Sequence, residues 1–304
     1  MANYNINNGQ LELIKENPFK LEKHLQRLTD DNLNVIFGLD LVKSEFSLNN
    51  FRIDTLAYDR DSCCFVIIEY KRDKNFSVID QGYAYLSLML NNKADFILEY
   101  NETQNKKLRR DDIEWSQSRV MFVSPSFTTY QKEAINFKDL PIELWEVKRY
   151  ANQTVIYSQI KTAGIQESIK TISRQNSTIN SVTKEIKTYT EDEHLAIAKD
   201  DIKELYETLK SRILNLDELE VRPKKKYVAF VAGSNVADIH IQKNALKIWI
   251  NMQKGELDDP QKLARDVSSI GHWGNGDYEI MIQDDENVEY ILGLIRQSLK
   301  KNKK

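Results

Sequence analysis

The chain has 304 residues, of which 41% are hydrophobic and 29% charged, and its formal net charge is −3. That length suits two domains, each able to bury a core, and the composition is ordinary for a soluble globular protein. The near-neutral total excludes a chain that is basic throughout and leaves a local basic patch open.

No apolar run approaches the ~20 residues of a membrane span. The opening "MANYNINNGQ" lacks the apolar core of a signal peptide, so the expected compartment is the cytoplasm. Cys63 and Cys64 are adjacent and would point to opposite faces of a strand, which excludes a disulfide framework. His24, His194, His240 and His272 are scattered, and no zinc spacing exists.

The apolar spacing of Leu21, Leu25 and Leu28 predicts a helix over 18–30, with Glu22 at the edge of its stripe. "VIFGLDLV", "FRIDTLAYD" and "SCCFVIIEYK" read as three strands, the last two separated by the turn residues "DRDS". "SVIDQGYAYLSLMLN" reads as a helix capped by Ser77. "ADFILEY" and "RVMFVSP" read as strands, "TTYQKEAINFKD" as a helix, and "IELWEVKRY" and "TVIYSQI" as strands. Such mixing predicts an α/β fold with a mixed central sheet and flanking helices over 1–160.

Residues 161–189 are polar and read as a linker or loose connecting helix. A smaller α+β domain is expected over 190–304. Thr190 and Glu193 fit a capping box, followed by Leu195, Ala198, Ile202, Leu205, Leu209 and Leu216 at helical spacing. Strands are expected at "KYVAFVAG", "DIHIQ", "LKIWINM" and "DYEIMIQ". Asp259-Pro260 fits a helix start, and Val288 to Leu299 a terminal helix.

Two acids interrupt otherwise core-like strands. Strand alternation puts Asp54 on one face with Arg52, Leu56 and Tyr58. Glu69 and Lys71 share a face with Cys63, Phe65 and Ile67, their Cα atoms about 7 Å apart. Taken singly, each acid reads as a solvent-facing strand residue. If the two strands pair as a hairpin, Asp54 comes close to Glu69. Two carboxylates that close force one to stay protonated, unless a divalent cation removes the conflict. Carboxylates, a backbone carbonyl and waters suit magnesium. Lys71 would then stabilise developing negative charge or orient an attacking water.

An Asp, a short gap and then Glu-x-Lys on the next strand resembles the signature of the PD-(D/E)XK nuclease superfamily. The matching residues are Ile53-Asp54, with Ile53 where the name has proline, and Glu69-Tyr70-Lys71. Glu22 in "FKLEKHLQRL" matches the acidic residue of the first helix. Gln81 and Tyr85 in "DQGYAYL" match a Gln-x-x-x-Tyr on the helix after the lysine strand. The resemblance covers roughly 10–150. It implies a restriction-endonuclease-like fold and hydrolysis of nucleic-acid phosphodiester bonds with Mg²⁺ or Mn²⁺. The implied metal ligands are Asp54, Glu69, the Tyr70 carbonyl and Glu22. The implied catalytic set is Asp54, Glu69, Lys71 and Gln81.

The expected partner is nucleic acid, DNA ahead of RNA, with no membrane; a homodimer is a further expectation. Arg72, Lys74 and Tyr85 are the expected nucleic-acid contacts. The alternative is a nuclease-fold module that binds nucleic acid or a protein without cutting. The second domain, through "GELDDP", "LARDVSSIGHWGNGDYEI" and "LIRQSL", resembles the uncharacterised domain attached to such modules in proteins once labelled predicted transport proteins.

Other charged stretches read as solvated. These are "NKKLRRDD", whose two aspartates offset its basic residues, "PKKK" at 223–226, and the tail "KKNKK". "GHWGNGDYE" reads as a glycine-rich turn with one packed tryptophan; a base stacking on Trp273 is the sharper alternative.

Overall fold

The computed structural model describes residues 3–72, 76–137, 139–161, 168 and 177–302. The chain divides into two compact units, Met1–Thr188 and Tyr189–Lys304.

The first unit opens with a two-stranded antiparallel hairpin, β1 (Asn3–Asn7) and β2 (Gln10–Ile14). Helices α1 (Glu22–Asp30) and α2 (Leu33–Phe37) follow. The main sheet then builds from β3 (Asp40–Leu48), β4 (Phe51–Asp59) and β5 (Cys64–Tyr70). Helices α3 (Val78–Asn91) and α4 (Lys93–Gln104) lead to β6 (Arg119–Ser124). Helix α5 (Thr129–Ala134) leads to β7 (Ile142–Arg149), and β8 (Val155–Gln159) completes the sheet. Its order is β3-β4-β5-β6-β7-β8. The pairs β5–β6 and β6–β7 are parallel and the other three antiparallel, so the sheet is mixed as expected.

Every residue of β5 is buried. That is what a central strand covered on both faces requires. Phe65 and Ile67 face a core completed by Leu86 and Met89 of α3 and Phe96 and Tyr100 of α4. Val66, Ile68 and Tyr70 face the opposite core, with Phe19, Leu25, Leu33 and Leu39.

Several sequence expectations differ from this arrangement. The helix expected over 18–30 begins at Glu22. "VIFGLDLV" is not one strand: α2 ends at Phe37, Gly38 takes φ 71°, and β3 starts at Asp40. "ADFILEY" is the first half of α4. Phe96 and Tyr100, four apart, bury one helical face while Leu98 stays 57% exposed. In the segment read as a linker, the described part contains α6 (Ser177–Glu185). Its Ile179 and Val182, with Ile186, are buried in the first core, and the unit boundary falls after Thr188. Residues 162–167 and 169–176 lie outside the described residues.

The second unit contains α7 (Glu191–Leu195), whose Thr190–Glu193 capping box is formed, and α8 (Asp200–Leu214). Strands β9 (Glu220–Pro223), β10 (Val228–Ala232), β11 (Ser234–Ile241), β12 (Leu246–Ile250), β13 (Arg265–Asp266) and β14 (Tyr278–Ile282) precede α9 (Val288–Asn302). They form an antiparallel sheet in the order β13-β14-β12-β11-β10-β9, with α8 and α9 packed in its core. Asp259-Pro260 starts a turn rather than a helix. The Asp259 carboxylate instead accepts from the Ala264 amide at 2.7 Å and the Tyr290 hydroxyl at 2.5 Å. Trp273 is 54% exposed, so the packed tryptophan expected in this loop is not found. Its ring lies 5.0 Å from that of His240, and the Lys226 ammonium sits 4.7 Å from its centroid.

Candidate active site

The β4–β5 register pairs Thr55 with Ile68 and Leu56 with Ile67. One more step of the same register sets Asp54 opposite Glu69. Directly opposed residues on one face have Cβ atoms about 4.5–5.5 Å apart, which brings the two carboxylates together. Asp54 is fixed from both sides. Its Oδ2 accepts from the Tyr70 amide at 3.0 Å, and its carbonyl accepts from Gln26 Nε2 of α1 at 2.7 Å.

Glu69 is only 3% exposed. Lys71 Nζ lies 3.2 Å from Glu69 Oε1. Glu69 Oε2 is buried and has no hydrogen-bond partner among the described residues. Burial first, and then the neighbouring Asp54 carboxylate, push the Glu69 carboxyl up to about 8; Lys71 and the Tyr85 hydroxyl pull it partly back.

Helix α3 supplies the roof. Ser77 Oγ caps it by accepting from the Asp80 amide at 3.3 Å. Gly82 allows its close approach to the sheet: a Cβ there would stand 2.5 Å from Ile142 Cδ1. Gln81 Nε2 lies 3.4 Å from Tyr85 Oη, one turn on, and Gln81 Oε1 is a second buried acceptor with no partner among the described residues.

The structure therefore brings Asp54, Glu69, Lys71, Gln81 and Tyr85 together. Tyr85 is 7% exposed, too deep to meet a nucleic acid; its hydroxyl accepts from Gln81 Nε2 at 3.4 Å. Glu22 Oε1 accepts from the Arg72 amide at 2.6 Å, and an Arg72 guanidinium nitrogen donates to the Lys20 carbonyl at 2.6 Å. These bonds tie the start of α1 to the chain leaving β5. Lys74 lies outside the described residues. Among the described residues, no set of three His, Cys, Asp or Glu side chains converges as a metal cage, so Glu22 does not complete a three-acid cluster.

A buried residue that sequence reasoning missed sits on the opposite face. Asp30, at the end of α1, accepts from Thr55 Oγ1 at 2.6 Å, Tyr70 Oη at 3.0 Å and Ser44 Oγ at 2.5 Å. Burial still raises its carboxyl above the ordinary range. It clamps β3, β4 and β5 behind the candidate site. A late acid on the predicted first helix was the only signal of it.

The donor set fits a hard divalent cation. Two carboxylates, Asp54 and Glu69, stand opposed, the latter with its carboxyl raised, and Glu69 Oε2 and Gln81 Oε1 are buried without a hydrogen-bond partner among the described residues. Magnesium needs only one or two carboxylates besides water and a carbonyl.

Over 293 residues, 96% of this chain and 97% of the relative, the sequence is 53% identical to an uncharacterized protein of Haemophilus influenzae (strain ATCC 51907 / DSM 11121 / KW20 / Rd). The chain belongs to the family of that protein. Residues 191–301 match a domain of unknown function, DUF5655. Among solved structures, a repair endonuclease from Pyrococcus abyssi is similar at 20% identity and a TM-score of 0.23, covering 40% of this chain and 45% of its own. EndoMS in its apo form is similar at 18% identity and a TM-score of 0.25, covering 40% and 44%. This chain thus spans under half the length of these two solved relatives. No described helix is long and apolar enough to cross a membrane.

Proposed function

We propose that the first unit is a divalent-metal-dependent nuclease acting on nucleic acid, DNA ahead of RNA. The carrying observation is the opposition of Asp54 and Glu69 on one sheet face, with Lys71 Nζ 3.2 Å from Glu69 and one Glu69 oxygen left without a partner among the described residues. Asp54, Glu69 and the Tyr70 carbonyl are the groups that would hold Mg²⁺ or Mn²⁺. When bound, the ion supplies Lewis-acid polarisation of a phosphate and a more acidic water.

The residues of this chain do the rest. Burial and Asp54 favour a protonated Glu69 near neutral pH, and as a ligand to a cation it would have to give up that proton. Lys71, held beside Glu69, faces the place where negative charge grows on the phosphate oxygens. That interaction is stronger in the transition state than in the ground state. Gln81 offers a buried amide oxygen to a water, with Tyr85 fixing its other end. Arg72 and Lys74 are the phosphate contacts in this reading. Glu22 orders the Arg72 backbone and reaches the ion only at second hand.

The burial of Glu69 supports one other reading. The Glu69–Lys71 pair would then be structural, in a module that binds nucleic acid or a protein partner without cutting. Cleavage of single-stranded, duplex and flapped DNA and of RNA, with Mg²⁺ and with EDTA, tests both. Metal-dependent cleavage lost in Glu69→Ala supports the nuclease. Chelator-insensitive binding without cleavage supports the module.

A further inference from the structure

The sheet of the second unit has two unlike faces. Helices α8 and α9 pack on one. Register and alternation put Asp238 and His240 of β11, Lys247 and Trp249 of β12, and Glu279 of β14 on the other. The small core there, Tyr227, Ala229, Val231, Trp249 and Val267, contains no helix residue.

The loop between β13 and β14 is pressed onto this second face and pinned. A Cβ at Gly274 would overlap the Trp249 ring, and one at Gly276 the Ile250 carbonyl. The Asn275 amide donates to Asp238 Oδ2 at 2.6 Å, and Asn275 Nδ2 donates to Tyr227 Oη at 2.9 Å. The Asp277 amide donates to the Met252 carbonyl at 3.0 Å. Trp273 rides on this anchored loop and is still 54% exposed. Holding a large indole in water forgoes the free energy of burying it.

The surroundings of Trp273 are aromatic and cationic. The exposed Lys226 places its ammonium 4.7 Å from the ring centroid. The His240 imidazole stands edge-on at 5.0 Å and 80°, fixed by Nδ1 donating to the Lys226 carbonyl at 2.5 Å. Burial lowers the pKa of His240; the bond to Lys226 opposes this, and the neighbouring His194, Lys247 and Lys226 lower it further. The imidazole is therefore neutral near pH 7. The acids of this face are already engaged. Asp238 is fully buried and also accepts from Asn235 Nδ2 at 2.8 Å. Glu279 is 6% exposed and pairs with both Arg265 at 2.7 Å and Lys247 at 3.3 Å. At the far edge Glu220 pairs with Arg222 at 2.7 Å.

We propose that this face binds single-stranded nucleic acid, with an unpaired base stacked on Trp273 and the adjoining phosphates against Lys226 and Lys247. One nucleotide uses both groups, because its base has a π-face and its phosphate a negative charge. A neutral sugar has no charge for Lys226, and an acidic side chain has no ring for Trp273. A methylated ammonium would meet Lys226 with like charge. A base inside a duplex has both faces covered, so the strand is unpaired. The inference does not depend on cleavage by the first unit.

Fluorescence anisotropy of the full chain in EDTA tests it, with a labelled oligothymidylate of about twelve nucleotides, an abasic strand of equal length and a duplex. The oligothymidylate should bind more tightly than either of the others. Trp273→Ala should weaken that binding roughly five- to a hundredfold and erase the preference over the abasic strand, while Trp273→Phe should keep most of both. The phenylalanine variant covers the case in which alanine disturbs the loop. Lys226→Ala should weaken both strands and flatten the slope of log affinity against log salt by ~0.7. A parent chain that binds none of the strands overturns the inference and leaves Trp273 to a protein partner. Equal affinity for the abasic strand and the oligothymidylate overturns it as well. Binding lost in Arg72→Ala and unchanged in Trp273→Ala places the strand on the first unit, which overturns this inference and leaves the nuclease reading standing.

Discussion

Lys71 Nζ stands 3.2 Å from one oxygen of Glu69, while the other oxygen of that carboxylate is buried without a hydrogen-bond partner among the described residues. Burial and the neighbouring Asp54 carboxylate favour the protonated form of this carboxyl. Glu69 has its carboxyl raised from 4.5 to about 8 in the folded chain. Below pH 4.5 both folded and unfolded forms are protonated, and the group contributes nothing. Between 4.5 and 8 the unfolded chain loses the proton and the folded one keeps it, so stability falls as pH rises. Above 8 the cost is complete. Urea denaturation in EDTA from pH 5 to pH 9 should show this decline, and Glu69→Gln should flatten it. A parent and variant with the same pH slope would remove the basis for a protonated Glu69.

Magnesium should reverse that cost. Mg²⁺ should raise the melting temperature of the parent chain and release protons on binding near neutral pH. At about 100 times the Kd, a ligand that binds only the folded state stabilises it by ~2.7 kcal/mol. Asp54→Asn and Glu69→Gln should lose most of that shift. Thermal melts with Mg²⁺ titrated against Ca²⁺ and EDTA check it. An unchanged shift in both variants would place the ion elsewhere.

Lys71→Ala should separate binding from chemistry. The magnesium-induced thermal shift should persist, while cleavage should fall by about 10²–10³, the range seen when one donor to a developing oxyanion is removed. Gln81→Ala should fall less, because an amide carries no full charge. Single-turnover cleavage rates at saturating enzyme read the chemical step directly. Loss of the magnesium shift in Lys71→Ala would make Lys71 a structural partner of Glu69 instead.

Asp30→Ala should damage the fold. It strands the hydroxyls of Thr55, Ser44 and Tyr70, all now donated to one carboxylate. Leaving buried donors unpaired costs about 1–3 kcal/mol each, and some relax, so a loss of roughly 3 kcal/mol is expected. The urea midpoint measures it. A change within about 0.5 kcal/mol, the range of ordinary surface substitutions, would mean that Asp30 braces nothing.

Much of the candidate site was legible in the sequence because strand chemistry is local. The β-branched runs around Asp54 and Glu69 mark strands, the "DRDS" turn marks a hairpin, and alternation puts Glu69 and Lys71 on one face. Ser77 as a helix cap and Thr190–Glu193 as a capping box were likewise readable, because a cap involves neighbours three residues apart. The hairpin at Asn8-Gly9 carries a readable signal as well, alternating apolar residues about an Asn-Gly turn.

Tertiary structure decided what depends on residues far apart in the chain. Whether "ADFILEY" is a strand or a helix turned on where Phe96 and Tyr100 could bury, since a short apolar run fits either period. The polar stretch before Thr188 could not announce a helix whose few apolar residues, Ile179 and Val182, find the first core. The depth of Tyr85, the diversion of Glu22 to the Arg72 amide and the Asp30 clamp all join positions separated by tens of residues. Sequence by itself determined which groups could do chemistry, because residue type and local period are written in the chain. Burial and partnership decided which of them stand together and which carry a proton, because desolvation and hydrogen bonding depend on what the fold packs around each group.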